Sequence, residues 1–336
     1  MPLMKAIQVN SPGADFELVH KEIPEPKENE ILMKVQACGI CRGDAVAKEG
    51  HFPGITYPRV PGHEVVGIVD KSGSKVVNWK AGQRVGVGWH GGHCFHCDAC
   101  RKGEFGACEH SLTTGLSIDG GYAEYMVIGE EVPALIPDEL SSVEAAPLLC
   151  AGRTTFGALK SCRAKGGDLV AIHGLGGLGH LAVQYAVKLG FKTAVLSRGK
   201  EKEDLAYKLG AHRYIDTSAV DAVKELQKMG GAQMILGTAP NSKAICKMIG
   251  GLGRNGEYII VTGVSDVMEL SPSILLRGGR SIRGWVGGTL EDTIRFSTLV
   301  GVTPMVEVFP LEQAAVAYEK MMSSKVHFRA VLRISE

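Results

Sequence analysis

The sequence predicts an α/β protein with two domains, a barrel-like, mainly β domain and a doubly wound parallel sheet. Two observations lead to this fold class. Short apolar runs separated by Pro, Gly and Asn turns fill roughly the first 60 residues, as is typical of antiparallel strands. From about residue 168 onward, strand-like and helix-like patterns alternate, as is typical of a doubly wound parallel sheet.

Length and charge limit the possible functions. With 336 residues and 45% hydrophobic content, the chain is long enough to bury more than one core. Its 37 Lys plus Arg nearly balance its 36 Asp plus Glu, so we expect neither nucleic acid nor a membrane surface as partner. No apolar stretch suits a signal peptide or a membrane span. A soluble cytoplasmic protein is therefore expected.

The first domain begins with strand-like runs at residues 5–9, 16–22, 31–37 and 65–69. A helix capped by Ser141 or Ser142, with Glu144 in its first turn, follows a turn at Pro137. A second helix is predicted over residues 154–163. We place the domain change near residue 150.

A glycine turn opens the second domain. A strand over 169–172 leads into the turn Gly174-Leu175-Gly176-Gly177-Leu178-Gly179, followed by a helix that Gly190 ends and a strand over 193–196. The spacing fits G-x-G-x-x-G, which lets the backbone close on a pyrophosphate at a helix N-terminus. A glycine turn before an ordinary packed helix is the alternative, and the flanking strands favour dinucleotide binding.

The residues after the second strand indicate which dinucleotide binds. NAD-binding folds usually carry Asp or Glu there, whereas this chain has Ser197, Arg198 and Lys200. A hydroxyl and two cations can hold a ribose phosphate, which an acid would repel. The sequence therefore favours NADP over NAD, unless these cations are solvated surface charges.

Alternating elements continue to residue 261, and a helix over 311–323 precedes a strand over 328–334 that can rejoin the first domain. The predicted domains are residues 1–150, 151–284 and 285–336, the last returning to the first domain. The alternating elements are expected at 201–209, 213–216, 219–229, 234–238, 245–249 and 258–261.

Nine cysteines are unusual for a reduced protein unless most bind metal. Four of them follow the pattern C-x2-C-x2-C-x7-C in a polar stretch, and four thiolates so spaced can close around one structural Zn²⁺. His93 and His96 lie between and beside these cysteines, but adding them would bring the number of ligands above four. They are therefore interpreted as surface histidines. The four cysteines are Cys94, Cys97, Cys100 and Cys108.

Three further candidates, Cys41, His63 and Cys150, have the composition of a catalytic zinc site. Two thiolates and one imidazole leave a fourth position for water or substrate. Each residue also has an ordinary alternative, because the cysteines can be small buried residues and the histidine can cap a turn. Sequence spacing alone does not show that the three meet.

The order of these motifs resembles the medium-chain zinc-dependent alcohol dehydrogenase family over essentially the whole chain. C-G-I-C-R-x-D, P-G-H-E, the four-cysteine lobe, C-A-G-x-T-T and G-L-G-G-L-G follow one another as in that family. The resemblance implies a GroES-like catalytic domain, a Rossmann domain and a C-terminal return to the catalytic domain.

The resemblance also assigns roles and two zinc ions per chain. It makes Cys41, His63 and Cys150 catalytic zinc ligands, Glu64 a carboxylate close to the metal, and Asp44 the partner that orients His63. The four lobe cysteines become structural ligands. Two more residues would contact the cofactor, Arg42 at the pyrophosphate and Thr154 at the nicotinamide.

The implied enzyme is an alcohol dehydrogenase or aldehyde reductase that transfers hydride between NADP(H) and a small or medium apolar primary alcohol or aldehyde, whose oxygen binds the catalytic zinc. A homodimer or homotetramer is implied, through sheet extension around residues 258–264 and 281–286. Trp89 resembles a residue that lines the family's substrate pocket, and Trp285 is a second candidate. Ordinary packing is the alternative for both.

One position departs from the family. Gly43 stands where a Ser or Thr hydroxyl usually passes the alcohol proton towards solvent, so we expect Gly43→Ser to raise alcohol oxidation at neutral pH. Two other functions stay open: a polyol or other secondary-alcohol dehydrogenase, and a non-catalytic dinucleotide-binding sensor. Two zincs per chain would indicate an enzyme, whereas one, in the lobe, would indicate the sensor.

Overall fold

A computed structural model describes residues 2–335, which form two compact units. The first contains the described residues up to Cys150, Leu290–Leu299, and those from Thr303 onward. The second contains Ala151–Thr289 and Val300–Val302. The chain thus leaves the first unit after Cys150 and returns to it at Leu290, slightly beyond residue 285.

The strands are, in chain order, β1 (Leu3–Val9), β2 (Phe16–Glu22), β3 (Glu30–Ile40), β4 (Glu64–Ser72), β5 (Arg84–Val87), β6 (His90–Gly92), β7 (Leu112–Thr113), β8 (Tyr125–Gly129), β9 (Ala134–Leu135), β10 (Leu169–His173), β11 (Lys192–Ser197), β12 (Arg213–Asp216), β13 (Ala232–Gly237), β14 (Leu252–Ile260), β15 (Ser281–Gly284), β16 (Val306–Pro310) and β17 (Arg329–Arg333).

The α-helices are α1 (Asp44–Glu49), α2 (Asp98–Arg101), α3 (Ser142–Pro147), α4 (Arg153–Lys160), α5 (Gly179–Lys188), α6 (Glu203–Lys208), α7 (Ala222–Lys228), α8 (Ser242–Met248), α9 (Ser273–Leu276), α10 (Leu290–Val300) and α11 (Ala314–Met322). A π-helical turn, Leu148–Gly152, lies between α3 and α4. Short 3₁₀ turns occur at Phe105–Ala107, Ile249–Gly251 and Leu311–Gln313.

The first unit is built on a mainly antiparallel sheet with strand order β16-β17-β3-β4-β5-β9, and β8 also pairs with β3. β1 and β2 form a separate antiparallel pair. Alternating side chains of β3, such as Met33 and Val35, are fully buried in the core of this unit, which also takes in Val65 of β4. The predicted strands at 5–9, 16–22, 31–37 and 65–69 are confirmed.

Helix α3 begins as its sequence predicts. The Ser141 hydroxyl accepts a hydrogen bond from the Glu144 N–H at 3.2 Å, and the Glu144 carboxylate accepts one from the Ser141 N–H at 3.1 Å. This reciprocal pair satisfies two amides that the first helical turn leaves unbonded. Ser141, and not Ser142, is therefore the capping residue.

The second unit is a parallel sheet with strand order β12-β11-β10-β13-β14-β15. Its interior strands are almost wholly buried, and residues 169–173 of β10 all lie inside. The strand order reverses beside β10, and ligands of such sheets bind at this switch point, beyond the carboxyl ends of the strands. The predicted alternation of strands and helices is confirmed.

The main difference from the predicted boundaries is in β14, which begins at Leu252, well before residue 258. Gly253 and Gly256 suggest a turn, but the chain keeps pairing with β13 through an irregular register near Met234. Asn255 absorbs the irregularity in a left-handed conformation, with φ of 58°. No helix in the described range has both the length and the apolar character needed to cross a bilayer.

Candidate functional site

Pairing of β3 with β4 brings Cys41 next to His63. Gly39, near the end of β3, is opposite Glu64 at the start of β4. Cys150 comes from the π-helical turn, a rare geometry that often marks functional sites. The ligand atoms of Cys41, His63, Glu64 and Cys150 all lie within 4.8 Å of one another, and the two sulfurs are 3.8 Å apart. We call these four residues the mixed cluster.

His63 presents Nε2 to the mixed cluster. Its other nitrogen, Nδ1, lies 2.8 Å from Asp44 Oδ1, and both side chains are buried. A carboxylate in this position holds the proton on Nδ1 and leaves the lone pair on Nε2. Nε2 is buried and has no hydrogen-bond partner within residues 2–335. An unpartnered imidazole nitrogen beside two sulfurs fits a zinc ion.

The electrostatics favour a thiolate in this cluster. A hydrogen bond from the Cys150 side chain, aided by His63, holds the pKa of Cys41 well below its usual range. The same bond between the sulfurs raises the pKa of Cys150. Burial opposes protonation of His63, but the Asp44 carboxylate outweighs burial and raises the His63 pKa. Thiolate is the form that binds metals, so Cys41 is prepared to act as a ligand.

Glu64 is fully buried and pairs with the buried guanidinium of Arg329 from β17. Burial raises the pKa of Glu64 to about 7, against the opposing charge of Arg329. Glu64 Oε2 occupies space that a Cβ at Gly39 would fill, so Gly39 is required for this carboxylate position. The sequence-based prediction missed Arg329, although an arginine within the apolar run of β17 was a signal for a buried ion pair.

The structure explains the glycine at position 43. A Cβ there would lie 2.9 Å from His63 Cε1 and 2.9 Å from Trp89 Cζ3. The indole of Trp89 packs edge-on against the His63 ring, with centroids 4.8 Å apart. The expectation that Gly43→Ser simply adds a hydroxyl therefore needs correction, because the added Cβ would displace Trp89 or His63.

The four-cysteine lobe is also assembled, with all four sulfurs within 4.8 Å of one another. Backbone N–H groups donate to these sulfurs: that of Cys97 to Cys94 at 3.4 Å, and those of Cys94 and His110 to Cys108 at 3.4 and 3.3 Å. Such donors stabilise thiolates. Four sulfurs without a carboxylate or imidazole among them fit a closed structural zinc site.

One prediction about the lobe is wrong. His96 is exposed, as expected of a surface histidine, but His93 is partly buried. Its ring stacks on Phe105 at a centroid distance of 4.1 Å and hydrogen-bonds to His90 at 2.9 Å. The contacts with Phe105 and His90 thus give His93 a packing role.

The glycine turn connects β10 to α5 in the second unit. A Cβ at Gly179 would collide with the carbonyl of Gly174, so this glycine is needed by the turn itself. A Cβ at Gly176 would meet nothing within 4 Å. The open space at Gly176 suits the approach of a pyrophosphate, with Gly177 and Leu178 at the helix N-terminus.

Positive charge gathers near this turn. Ser197 ends β11, and the exposed Arg198 and Lys200 follow it. Lys202, which the sequence-based prediction did not include, donates from Nζ to the Leu175 carbonyl inside the turn at 2.9 Å. Lys202 is the third cation within five residues, and this spacing was the signal available for it.

The remaining predicted residues are placed as follows. Arg42 is exposed in the first unit and donates to the Met322 carbonyl at 3.4 Å. Thr154 lies partly exposed in α4. Trp285 packs against Gly157 and Arg283 within the second unit, and the guanidinium carbon of Arg283 is 5.4 Å from the ring centroid. Trp89 lies in the first unit and Trp285 in the second.

Comparisons with known proteins agree with this geometry. Residues 27–138 match the family model described as alcohol dehydrogenase GroES-like domain, and residues 177–301 match zinc-binding dehydrogenase. Alcohol dehydrogenase patD of Penicillium expansum is 45% identical, over 95% of this chain and 94% of its own. An alcohol dehydrogenase of Geobacillus stearothermophilus is 37% identical, over 99% of this chain and 100% of its own.

A solved structure of CAD from Helicobacter pylori complexed with NADP(H) superposes with a TM-score of 0.85 at 25% identity, covering 98% of each chain. The two domain types, the two sets of metal-binding side chains and these relatives lead to one conclusion. The chain belongs to the medium-chain zinc-dependent alcohol dehydrogenase family.

Proposed function

We propose that this alcohol dehydrogenase transfers hydride between NADP(H) and a small or medium apolar primary alcohol or the corresponding aldehyde. The observation that carries the proposal is the mixed cluster. Cys41, His63 and Cys150 converge there, and the buried Nε2 of His63 lacks a partner within residues 2–335. Such a set is suited to a metal that keeps one position open.

Zinc is the metal we assign to both cysteine sites, giving two ions per chain. When bound at the mixed cluster, it would supply a Lewis acid for the oxygen of the alcohol or aldehyde. The chain's own residues position the ligands: Asp44 fixes the His63 tautomer, and Arg329 keeps Glu64 in place. At the lobe, four sulfurs would close a site with a purely structural role.

No side-chain hydroxyl at position 43 can accept the alcohol proton, since residue 43 is glycine. We infer that a water, a ribose hydroxyl of a bound cofactor or another residue such as His51 would have to serve instead. Trp89 faces His63 and limits the space beside it, so we assign Trp89 to the substrate pocket. Trp285 is the second residue that we assign to the pocket, and its contacts in the second unit are packing contacts.

The cofactor proposal rests on charge. Ser197 replaces the acid that would repel a ribose phosphate, and Arg198, Lys200 and Lys202 follow it. A nearby acid, Asp216, is already engaged, because it accepts hydrogen bonds from the Gly199 N–H and the Ser218 hydroxyl. These bonds lower the Asp216 pKa, and the ionised group stays directed at its own loop.

The other cofactor contacts are assigned by position in the family. The pyrophosphate would bind at Gly174, Gly176, Gly177, Leu178 and Gly179, the glycine-turn residues. We propose that Arg42 contacts the pyrophosphate and Thr154 the nicotinamide. A cytoplasmic location is proposed as well, since reduced thiols persist there.

We also propose a homodimer or homotetramer. Strand β15 ends the strand order of the parallel sheet, and Val286 just beyond it is 87% exposed. An exposed strand edge beside an apolar side chain is suited to pairing with a second copy. Light scattering that gives the mass of a single chain would contradict this assignment.

The first experiment measures initial rates with cinnamaldehyde or benzaldehyde, using NADPH and NADH in parallel, on protein with counted zinc. We expect two zincs and a preference for NADPH. Arg198→Ala and Lys200→Ala should each raise the KM for NADPH about tenfold and leave that for NADH unchanged, because each removes a charged contact with the phosphate. Lys208→Ala, an exposed cation farther along, is the matched control.

A preference for NADH would show that these cations are surface charges. One zinc per chain and no activity would instead favour the non-catalytic sensor.

A further inference from the structure

We propose that Tyr122 is a positioning residue for the metal ligand His63, acting through Asp44. This inference rests on the proposed function, since it concerns how zinc is held at the mixed cluster. Tyr122 is 0% exposed, and its hydroxyl donates to Asp44 Oδ2 at 2.9 Å. It therefore lies one step behind the carboxylate that orients the imidazole.

Asp44 is buried at 2% exposure and needs hydrogen-bond donors on both carboxylate oxygens. Oδ1 lies 2.8 Å from His63 Nδ1. Oδ2 receives the Tyr122 hydroxyl and, at 2.8 Å, the backbone N–H of Cys41. Asp44 Oδ1 thus contacts the side chain of the proposed ligand His63, while Oδ2 accepts a hydrogen bond from the backbone of the proposed ligand Cys41.

The ring of Tyr122 has little freedom to turn away. It lies against Gly62, where a Cβ would come within 2.4 Å of Tyr122 Cδ1, so the residue before His63 must lack a side chain. The Tyr122 N–H donates to the Pro61 carbonyl at 3.0 Å, and the Gly121 N–H donates to the Gly62 carbonyl at 3.0 Å. Tyr122 therefore holds His63 through the backbone that precedes it as well as through Asp44.

Loss of the hydroxyl would leave Oδ2 with the Cys41 N–H as its remaining donor among these contacts. With fewer donors to fix it, the carboxylate would be free to rotate, and rotation would weaken its hold on the Nδ1 proton of His63. Groups that orient metal-binding histidines typically contribute about 10- to 100-fold to metal affinity. Because Tyr122 acts one step behind such a group, we expect an effect near the lower end.

The test is chelator-induced zinc release from the full chain loaded with two zincs, followed with a colorimetric zinc indicator. The four-cysteine lobe is the internal reference, because none of its ligands contacts Tyr122 or Asp44 among the hydrogen bonds of the described residues. In Tyr122→Phe we expect about tenfold faster release from the mixed cluster and unchanged release from the lobe.

Tyr318→Phe is the matched control. Tyr318 is also buried in the first unit, at 6% exposure, and its hydroxyl has no hydrogen-bond partner within residues 2–335. This variant should release both zincs at the wild-type rates. In an Asp44→Asn background, Tyr122→Phe should add no further acceleration, because the group through which it acts has already been changed.

Unchanged release in Tyr122→Phe overturns the inference, and so does faster release from both sites, which would indicate general loosening of the fold. If Tyr122→Phe fails to fold, a second chain, in which a fluorinated tyrosine replaces Tyr122 and nothing else is changed, takes its place. The fluorinated residue keeps the ring and makes its hydroxyl a stronger hydrogen-bond donor. This chain should release zinc no faster than wild type, and faster release would overturn the inference. A wild-type chain that holds no zinc at the mixed cluster overturns the proposed function as well.

Discussion

The two cysteine sites of this chain are built in different ways. The lobe draws its four sulfurs from Cys94 to Cys108, and neighbouring backbone amides support them. The mixed cluster draws on β3, β4 and a π-helical turn, and its support includes Arg329, 265 residues from Glu64. The proposed structural site is therefore local, whereas the proposed catalytic site takes its ligands and their partners from segments far apart in the chain.

The largest expected effect comes from removing a ligand of the mixed cluster. Cys150→Ala should lower kcat/KM by about 10³-fold or more, because the chain would lose one of the three ligands proposed to hold a zinc ion that would act as the Lewis acid. The lobe should keep its zinc. Zinc counting and steady-state kinetics on the purified variant check both statements, and retention of two zincs with full activity would contradict the assigned ligand set.

The second effect is on stability. Arg329→Met leaves the buried Glu64 carboxylate without its cation, and breaking a buried ion pair in this way typically costs about 3–5 kcal/mol. Urea denaturation measures the change in the free energy of unfolding. Arg333→Met on the same strand is the control, since Arg333 is exposed and should cost little. Equal costs in the two variants would show that the Glu64 pair contributes nothing specific.

A third prediction concerns the space beside His63. Gly43→Ser alone should lower alcohol oxidation about tenfold, because a Cβ 2.9 Å from both His63 and Trp89 forces one ring to shift. Gly43→Ser combined with Trp89→Leu should recover activity relative to the single variant. Kinetics measured across pH, with Trp89→Leu alone as control, separate the steric effect of the added Cβ from the effect of the added hydroxyl. Higher activity in the single variant would support the added hydroxyl over the steric argument.

The smallest effect is expected in the lobe. Phe95 has φ of 64° and is 61% exposed, a conformation that costs a non-glycine residue free energy. Phe95→Gly should stabilise the chain by on the order of 0.5 kcal/mol, since relief of strain exceeds the added entropy of the unfolded glycine. Thermal unfolding checks this, with Phe105→Gly as a control that loses an aromatic side chain without a positive φ. A lower Tm for Phe95→Gly would mean that its contact with His93 outweighs the strain.

The sequence predicts the features formed by neighbouring residues better than those formed by residues far apart in the chain. The glycine turn, the cap of α3 and the four lobe cysteines are each encoded within about 15 residues. The turn lies between a strand and a helix as predicted, the cap is Ser141, one of the two predicted candidates, and the four sulfurs cluster. The meeting of Cys41, His63 and Cys150 needed the family resemblance, because spacing carries no information on strand pairing between distant segments.

What the sequence did not predict depends on tertiary packing. Arg329 acquires its role only when β17 pairs with β3, and Tyr122 acquires its role only when its loop lies against Pro61 and Gly62. The steric demand on Gly43 likewise exists only because the rings of His63 and Trp89 pack there. The arginine in the apolar run of β17 is a local signal, but the importance of all three residues comes from neighbours elsewhere in the chain.

The position of β17 has a consequence during protein synthesis. The strand that supplies Arg329 is translated 265 residues after Glu64, with the whole cofactor-binding unit made in between. At about 5–20 residues per second, Glu64 emerges from the ribosome tens of seconds before its cation exists. Until then β3 has an open edge where β17 will pair, and open strand edges are templates for pairing with other chains. We therefore expect the first unit to need protection from aggregation until its last strand has been made.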